Sequence, residues 1–401
     1  YLDSEWLTSI HFFPSGFTYV NEQDGYSHIY LYSPTGVMQR QVTKGNWDVT
    51  RLIGYDDATK VTYYESAEES PLRRSVYKID AKGVKTKLTD AEGTNSADFS
   101  DNYAYFVNTW SNANTPARIT VNETKSKKEL RVLQDNAALK EKLANTSFSK
   151  KEFFKVHTAS DYELNAWIVK PVNFDESKKY PVLMVQYSGP NSQQVKNNWS
   201  LSWLNYLAQE GYIVACIDPR GTAARGEEFR KCTYMQLGKL ESDDMIAAAK
   251  WLVTQPDVDV KNIGIWGWSY GGFMSSLCIM KGNDIFTTAI AVAPVTHYKY
   301  YDSIYTERYM RTPAENERGY EDNAPLNWAD KLKGNLLICH GTADDNVHVQ
   351  NTYELAERLV QANKQFDMAI YTNRNHSIFG GNTTLQLYNR FVKYLNEHMK
   401  R

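Results

Sequence analysis

A pentapeptide of the form Gly-x-Ser-x-Gly constrains the fold more than any other stretch of this chain. It occupies residues 267–271, after the apolar run 263–266 and before the small and apolar run 273–280. This strand–turn–helix context is typical of a nucleophile elbow. So sharp a turn needs glycine at both ends, because a side chain there would collide with the neighbouring strand or helix. Ser269 is therefore the predicted nucleophile, and a solvated serine in a Gly-rich turn is the alternative.

Predicted strands and helices alternate through residues 149–401. The strands are expected at 153–156, 163–169, 182–187, 212–217, 263–266, 288–292, 335–339 and 366–371, and the helices at 203–209, 241–254, 273–280, 350–362 and 383–399. Between them, residues 293–334 are expected to form a long variable segment. The alternation predicts a mostly parallel sheet with helices on both faces, and hence an α/β-hydrolase domain with its catalytic loops at the carboxyl ends of the strands.

Residues 1–135 contain an internal repeat with a period of roughly 40 to 45 residues, which is typical of propeller blades. Each repeat has a strand rich in aromatic residues (17–20, 61–64, 103–106), a second strand (29–32, 76–79, 118–121) and a short third strand ending at 42–43, 88–89 or 132–133. This predicts part of an all-β propeller. A ring needs at least about four blades, so further blades are expected ahead of Tyr1. A β-sandwich of roughly nine strands is the alternative, and the polar residues 136–148 are expected to be a linker.

A serine hydroxyl needs a base that accepts its proton. His376 follows the strand expected at 366–371, where the chain order Ser, Asp, His places that base. The orienting carboxylate should lie in the loop after the strand at 335–339, where Asp344 and Asp345 are adjacent, and spacing alone leaves both open. His340, which ends that strand, is expected to support the site from beside it.

Two hydrogen-bond donors are expected to face the oxygen of the reacting carbonyl as it gains charge. The elbow itself supplies the backbone N–H of Tyr270. The loop after the strand at 182–187 offers the hydroxyl of Tyr187. An aromatic plug at the sheet edge is the alternative role for Tyr187.

Composition excludes several classes of partner. The net charge is −2 with both signs interspersed, so nothing favours nucleic acid or an anionic membrane surface. No apolar run reaches membrane-spanning length. The four cysteines lie far apart and indicate core residues rather than a metal site, although a Cys216–Cys339 disulfide stays open. Peptides or small molecules are the expected partners, and no metal or cofactor is expected.

Taken together, these motifs resemble the prolyl oligopeptidase family of serine peptidases. The resemblance is carried by Tyr-Ser-Gly-Pro at 187–190, Gly-Trp-Ser-Tyr-Gly-Gly at 267–272, the segment 300–310 that begins Tyr-Tyr-Asp-Ser, His-Gly-Thr-Ala-Asp-Asp-Asn-Val-His at 340–348, and Arg-Val-Leu-Gln-Asp-Asn at 131–136. It implies an exopeptidase that releases Xaa-Pro or Xaa-Ala dipeptides from the amino terminus of peptides through an acyl-enzyme. It also implies an exported protein (periplasmic, cell-surface or secreted) that forms a homodimer.

The resemblance also implies roles for single residues. It makes Asp344 the acid of the triad with Ser269 and His376, and Tyr187 with the Tyr270 amide the oxyanion hole. The residues matching the family's proline pocket are Tyr270, Val295, Tyr298, Tyr301, Tyr305 and Val347, with Asn346 holding the substrate's carbonyl. Tyr298 stands where relatives often carry Trp. The acidic pair that binds the substrate's free amine belongs to propeller sequence absent here.

Two alternatives to the exopeptidase prediction stay open. One is an acylaminoacyl peptidase, an oligopeptidase or an esterase on the same scaffold. The other is a binding protein with an inactive hydrolase domain, which would require the loss of Ser269, Asp344 or His376. All three are present.

Overall fold

The structure is a computed structural model that describes residues 1–2, 4–158 and 162–400. The chain forms two compact units. The first comprises Tyr1–Ser147, Lys196–Ser200 and Ala223–Arg230, and the second comprises Phe148–Val195, Leu201–Thr222 and Lys231–Arg401. Residues 136–148, for which a linker is predicted, include a helix of the first unit.

The first unit consists mainly of three antiparallel sheets with four strands each. The first sheet contains β1 (His11–Phe13), β2 (Gly16–Asn21), β3 (His28–Tyr32) and β4 (Met38–Gln41); the second contains β5 (Val49–Asp56), β6 (Val61–Ser66), β7 (Ser75–Ile79) and β8 (Lys85–Lys87); the third contains β9 (Thr94–Phe99), β10 (Tyr105–Asn112), β11 (Thr115–Glu123) and β12 (Glu129–Gln134). The helices α1 (Ser4–Thr8) and α2 (Ala137–Ala144) precede and follow these sheets in the chain. Four successive strands per sheet are the pattern of propeller blades, which confirms the propeller prediction and rules out the sandwich.

The expectation of three strands per repeat is wrong, because each sheet has one more strand at its start. The missed strands are β1, β5 and β9. β5 pairs with β6 through two register shifts, one of them between Leu52 and Gly54. Such bulges break the two-residue alternation on which strand prediction depends. β9 has the polar sequence Thr-Asn-Ser-Ala-Asp-Phe, which gives little apolar signal.

In the first two sheets the short fourth strand ends earlier than predicted, because a threonine hydroxyl accepts a hydrogen bond in place of a strand carbonyl. In the third sheet β12 ends at Gln134, one residue beyond the predicted end. In the first sheet, the Val42 N–H donates to the Ile29 carbonyl at 2.8 Å. The return bond goes from the Ile29 N–H to the Thr43 hydroxyl oxygen at 3.0 Å, so the side chain accepts where a strand carbonyl normally would. The second sheet repeats this arrangement with Val76, Leu88 and Thr89. The device recurs at the same place in two sheets, as expected for an internal repeat.

The second unit contains a single eight-stranded sheet among its described residues. Its strands are β13 (Lys151–His157), β14 (Glu163–Val169), β15 (Tyr180–Val185), β16 (Ile213–Ile217), β17 (Val258–Trp268), β18 (Thr288–Val292), β19 (Asn335–Gly341) and β20 (Asp367–Tyr371). Their spatial order is β13-β14-β16-β15-β17-β18-β19-β20. The pairs β13·β14 and β14·β16 are antiparallel and all others are parallel. The mostly parallel α/β-hydrolase sheet is therefore confirmed.

Helices pack on both faces of this sheet. The helices that follow in the chain are α3 (Trp203–Gln209), α4 (Gly226–Lys231), α5 (Lys239–Leu252), α6 (Tyr270–Lys281), α7 (Ser303–Met310), α8 (Glu317–Glu321), α9 (Gln350–Gln361) and α10 (Thr383–Met399); all belong to the second unit except α4, which lies almost wholly in the first. Of these, α3, α5, α6 and α10 contact strands of the sheet. On β17, Trp266 meets Phe391 of α10, whereas its neighbour Gly267 lies against Gly271 of α6. Successive strand residues point to opposite faces, so α6 and α10 pack on opposite sides.

Residues 293–334 are more regular than the predicted variable segment. They contain α7, α8 and two 3₁₀ helices, Tyr298–Tyr300 and Pro325–Lys331. α7 begins after Asp302, whose carboxylate accepts a hydrogen bond from the Tyr305 N–H at 2.8 Å. Tyr309 and Met310, on the inner face of α7, are buried. Apolar residues are sparse here and tyrosines supply the packing, which explains why periodicity alone misses the helix.

The sequence left a disulfide between Cys216 and Cys339 open. Cys216 and Cys339 are buried as separate free thiols, so this pair forms no disulfide. Within the described part of the chain, every helix is too short or too polar to cross a membrane.

Candidate active site

The site is built around the turn between β17 and α6, where Ser269 has φ 61° and ψ −116°. Its N–H donates to the Val292 carbonyl of β18 at 2.8 Å, which fixes this strained conformation. A Cβ atom at Gly267 would lie 2.4 Å from the Gly271 carbonyl oxygen, and one at Gly271 would lie 2.6 Å from the Gln186 carbonyl oxygen. Both glycines are therefore required by close backbone approach, and the turn presents the Ser269 side chain at the carboxyl end of β17.

Asp344, in the loop after β19, is the carboxylate that contacts His376. Its Oδ2 lies 2.8 Å from His376 Nδ1. Because a carboxylate only accepts, Nδ1 carries the proton and Nε2 is left as the acceptor of the neutral ring. Asp345 is exposed. The structure thus distinguishes the two adjacent carboxylates that spacing could not.

Four donors surround the Asp344 carboxylate. Oδ1 accepts from the backbone N–H groups of Asn346 and Val347 at 3.0 and 2.9 Å. Oδ2 accepts from His376 and also faces His340 Nε2 at 3.2 Å. Burial by itself would raise the pKa of this carboxyl, but hydrogen bonds from His340 and His376 outweigh it and hold the pKa well below its ordinary value. Asp344 is consequently ionised across the neutral range.

His340 supports this loop from beneath, as the sequence suggested. It is fully buried, and its Nε2 lies 2.8 Å from the Val347 carbonyl oxygen. Since that oxygen can only accept, Nε2 carries the proton, and Nδ1 accepts from the Thr352 hydroxyl at 2.7 Å.

The loop that carries His376 is tied both to the elbow and to the Asp344 loop. The indole N–H of Trp268, the last residue of β17, donates to the His376 carbonyl at 2.9 Å. The Ala343 N–H donates to the Arg374 carbonyl at 3.0 Å. These bonds hold His376 beside the residue that precedes Ser269.

Tyr187, in the loop after β15, reaches the same place from the other side. Burial raises the pKa of its hydroxyl, and an opposing contribution from the Ser269 side chain is the smaller of the two, so the phenol stays protonated and able to donate. The preceding Gln186 anchors the loop to α6, because its side-chain amide donates to the Gly271 carbonyl at 2.8 Å and to the Ser275 hydroxyl at 3.2 Å. Tyr270 opens α6, so its backbone N–H has no carbonyl partner within the helix.

The predicted pocket residues form an aromatic cluster next to these groups. The Tyr301 and Tyr305 rings meet edge to face at 5.4 Å, and the Tyr301 hydroxyl donates to Asn346 Oδ1 at 2.7 Å. Tyr298 packs at 5.2 Å from Phe273. The Tyr298 hydroxyl is buried without a hydrogen-bond partner among the described residues.

The two predicted valines are buried in neighbouring loops. Val295 follows β18 and Val347 follows β19. The sequence did not predict one further residue, Glu241 of α5, whose carboxylate oxygen Oε1 accepts a hydrogen bond from the Tyr270 hydroxyl at 2.6 Å. The sequence pattern that could have drawn attention to Glu241 is a glycine at 238 followed three residues later by a glutamate, which is typical of the start of a helix.

No set of three or more His, Cys, Asp or Glu side chains is arranged to hold a metal ion in residues 1–2, 4–158 and 162–400. The groups brought together at the described site are a serine, an imidazole, a carboxylate and tyrosine hydroxyls.

Comparison with known proteins identifies the family of the chain. The model of the prolyl oligopeptidase family matches residues 198–401, and that of the dipeptidyl peptidase IV N-terminal region matches residues 2–117. The crystal structure of Porphyromonas gingivalis dipeptidyl peptidase 4 superposes with a TM-score of 0.98 at 58% identity, covering 99% of this chain and 57% of that one.

Relatives from other organisms are more distant. A probable dipeptidyl peptidase 4 of Emericella nidulans is 36% identical, and prolyl endopeptidase FAP of Homo sapiens is 34% identical. The matches cover 95% and 94% of this chain and 51% of each relative, so the chain spans about half the length of either. With one family model matching the second half of the chain and the fold matching throughout, the chain belongs to the prolyl oligopeptidase family.

Proposed function

We propose that the full-length protein is a serine exopeptidase that releases dipeptides with Pro or Ala in second position from the amino terminus of peptides. The observation that carries the proposal is the 2.8 Å hydrogen bond from His376 Nδ1 to Asp344, in a loop tied to the elbow that bears Ser269. The names of the P. gingivalis and E. nidulans relatives support the dipeptidyl part.

The proposed reaction follows from the protonation states. His376 Nε2 accepts the Ser269 proton while Oγ forms a bond to the substrate's carbonyl carbon, and Asp344 stabilises the imidazolium that results. The Tyr187 hydroxyl and the Tyr270 N–H donate to the oxyanion. His376 then protonates the leaving amine as the C–N bond breaks, and an acyl-enzyme remains. Water activated by His376 attacks this ester and regenerates Ser269.

The aromatic cluster supports a preference for a small or cyclic second residue. We assign the proline ring to the pocket formed by Tyr270, Val295, Tyr298, Tyr301, Tyr305 and Val347. Burial of three ring methylenes stabilises the complex by roughly 2 kcal/mol, a preference of about thirtyfold over glycine. Asn346 has its side-chain oxygen engaged by Tyr301, which leaves its NH₂ group to donate to a substrate carbonyl.

The remaining parts of the proposal come from family membership. We propose that carboxylates of the full-length protein's propeller bind the substrate's free amine. Export and a homodimeric assembly are proposed on the same basis.

A second candidate is an endopeptidase that uses the same pocket, favoured by the 34% identity to prolyl endopeptidase FAP. The deciding experiment measures kcat/KM of the full-length protein on p-nitroanilides of Gly-Pro, Gly-Ala, Gly-Leu and N-acetyl-Gly-Pro. The proposal expects the order Gly-Pro, Gly-Ala, Gly-Leu and refusal of the acetylated substrate, because an acidic pair left without its cation is unfavourable. Equal rates on the free and acetylated substrates would establish the endopeptidase instead.

A further inference from the structure

A buried glutamate lies behind the residue that follows the nucleophile. Glu241 is fully buried in the first turn of α5. Its Oε1 accepts from the Tyr270 hydroxyl at 2.6 Å and its Oε2 accepts from the Gly238 N–H at 3.0 Å. A carboxylate is costly to bury unless its oxygens are hydrogen-bonded, so the hydrogen bond from Tyr270 helps to keep Glu241 in this position. The same bond holds the Tyr270 hydroxyl.

Tyr270 links Glu241 to the groups that take part in the proposed reaction. In the proposed mechanism its backbone N–H faces the oxyanion and its ring lines the pocket. The ring meets Phe273 edge to face at 5.2 Å and lies 5.9 Å from the Tyr187 ring. The hydroxyl at the far end of the ring is bonded to Glu241 alone among the residues described. Fixing that end fixes the tilt of the ring and the position of the first turn of α6.

We propose that Glu241 is a positioning residue that aligns the Tyr270 amide with the oxyanion and the Tyr270 ring with the pocket. This inference rests on the proposed function. Glu241 itself is buried and touches Tyr270 rather than the substrate.

The contacts of Glu241 favour its ionised form, because both groups that face its oxygens donate. Protonation would add a hydrogen where a donor already points, and one of the two bonds would be lost or reversed. Burial, opposed by the hydrogen bond from Tyr270, raises the pKa of Glu241 to about 7. Other titratable groups near enough to interact with its charge are Asp244 on its own helix, Cys232, Cys278 of α6, Tyr298 and Tyr305 of α7.

Glu241→Gln tests the contact without removing volume. The amide oxygen must face the Gly238 N–H, since that group can only donate, so the NH₂ turns to Tyr270 and the hydrogen bond reverses. The Tyr270 hydroxyl proton then loses its acceptor. The exposed Asp243, on the same helix, provides the matched control Asp243→Asn with the same change of charge.

Two rates are measured on the full-length protein and its variants. The first is kcat on Gly-Pro-p-nitroanilide. The second is the rate at which a fluorophosphonate probe labels Ser269, where Oγ bonds to phosphorus and displaces fluoride; this reaction needs the oxyanion hole but no peptide specificity. Because a misplacement of 1 Å costs about a hundredfold, we expect Glu241→Gln to lower both rates about tenfold and Asp243→Asn to change them less than twofold.

Two further readouts separate positioning from stability. In the double variant Glu241→Gln/Tyr270→Phe the loss should not exceed that of the worse single variant, because both changes disrupt the same hydrogen bond, one by reversing it and the other by removing it. The acid limb of the wild-type rate should include an ionisation near pH 7 that Glu241→Gln lacks.

Several outcomes would overturn the inference. Glu241→Gln rates equal to those of Asp243→Asn would do so, as would additive losses in the double variant or a loss that merely follows the fraction of unfolded protein. A protein that labels but does not cleave Gly-Pro substrates would overturn the proposed specificity, while the labelling ratio would still decide the role of Glu241. A wild type that does neither would overturn both.

Discussion

Replacement of Asp344 by Asn should abolish turnover through the tautomer of His376. Asp344 Oδ1 accepts from two backbone N–H groups, so the amide oxygen of Asn must take that side. The NH₂ group then faces His376 Nδ1, which must lose its proton to accept. The ring is left with its proton on Nε2, where it cannot receive the Ser269 proton.

The expected loss in kcat is about 10⁴-fold, or about 5.4 kcal/mol of transition-state stabilisation. The matched control is Asp345→Asn, which changes the adjacent and exposed carboxylate and should retain wild-type activity within about threefold. Both variants are assayed on Gly-Pro-p-nitroanilide, with circular dichroism to establish folding. Loss of activity in Asp345→Asn with more than a tenth retained in Asp344→Asn would refute the reasoning.

Three further predictions concern single groups. Tyr187→Phe removes one oxyanion donor and should lower kcat about 10²- to 10³-fold with little change in KM, whereas Tyr212→Phe, which removes a buried hydroxyl bonded to Asn396, should leave both constants unchanged. Because the folded-state pKa of Asp344 is lowered, its contribution to stability is complete above about pH 4 and is lost as the pH falls further; thermal melts should show a shallower acid loss in Asp344→Asn than in the wild type. Asn346→Ala removes a donor to the substrate and should raise KM about tenfold, the effect of one hydrogen bond worth about 1.4 kcal/mol, and an unchanged KM would exclude that contact.

Local sequence signals predicted much of the hydrolase sheet and its turn. The strand β18 and the helices α3 and α10 have the predicted bounds, because each is a strongly apolar or strongly periodic run. The elbow was predictable for a similar reason, since glycines at 267 and 271, on either side of Ser269, are a local requirement of the turn.

Contacts between residues far apart in the chain could not be predicted from local sequence patterns. Asp344 and Asp345 are adjacent in one loop, and only the fold decides that the first is buried against His376 while the second is exposed. Glu241 meets Tyr270 because α5 and α6 pack together, and no local pattern records that pairing. The bulged β5 and the tyrosine-rich α7 were missed since their side chains do not follow a simple apolar period.

Covalent trapping tests the central claim most directly. A dipeptidyl phosphonate ester with proline in second position is incubated with the full-length protein, which is then digested and mapped by mass spectrometry. The account predicts one adduct, on the peptide that contains Ser269. Peptidase activity should be lost at the same rate as this adduct forms, and the adduct should be absent in Ser269→Ala. An adduct on another residue, or undiminished cleavage of Gly-Pro substrates by Ser269→Ala, would contradict it.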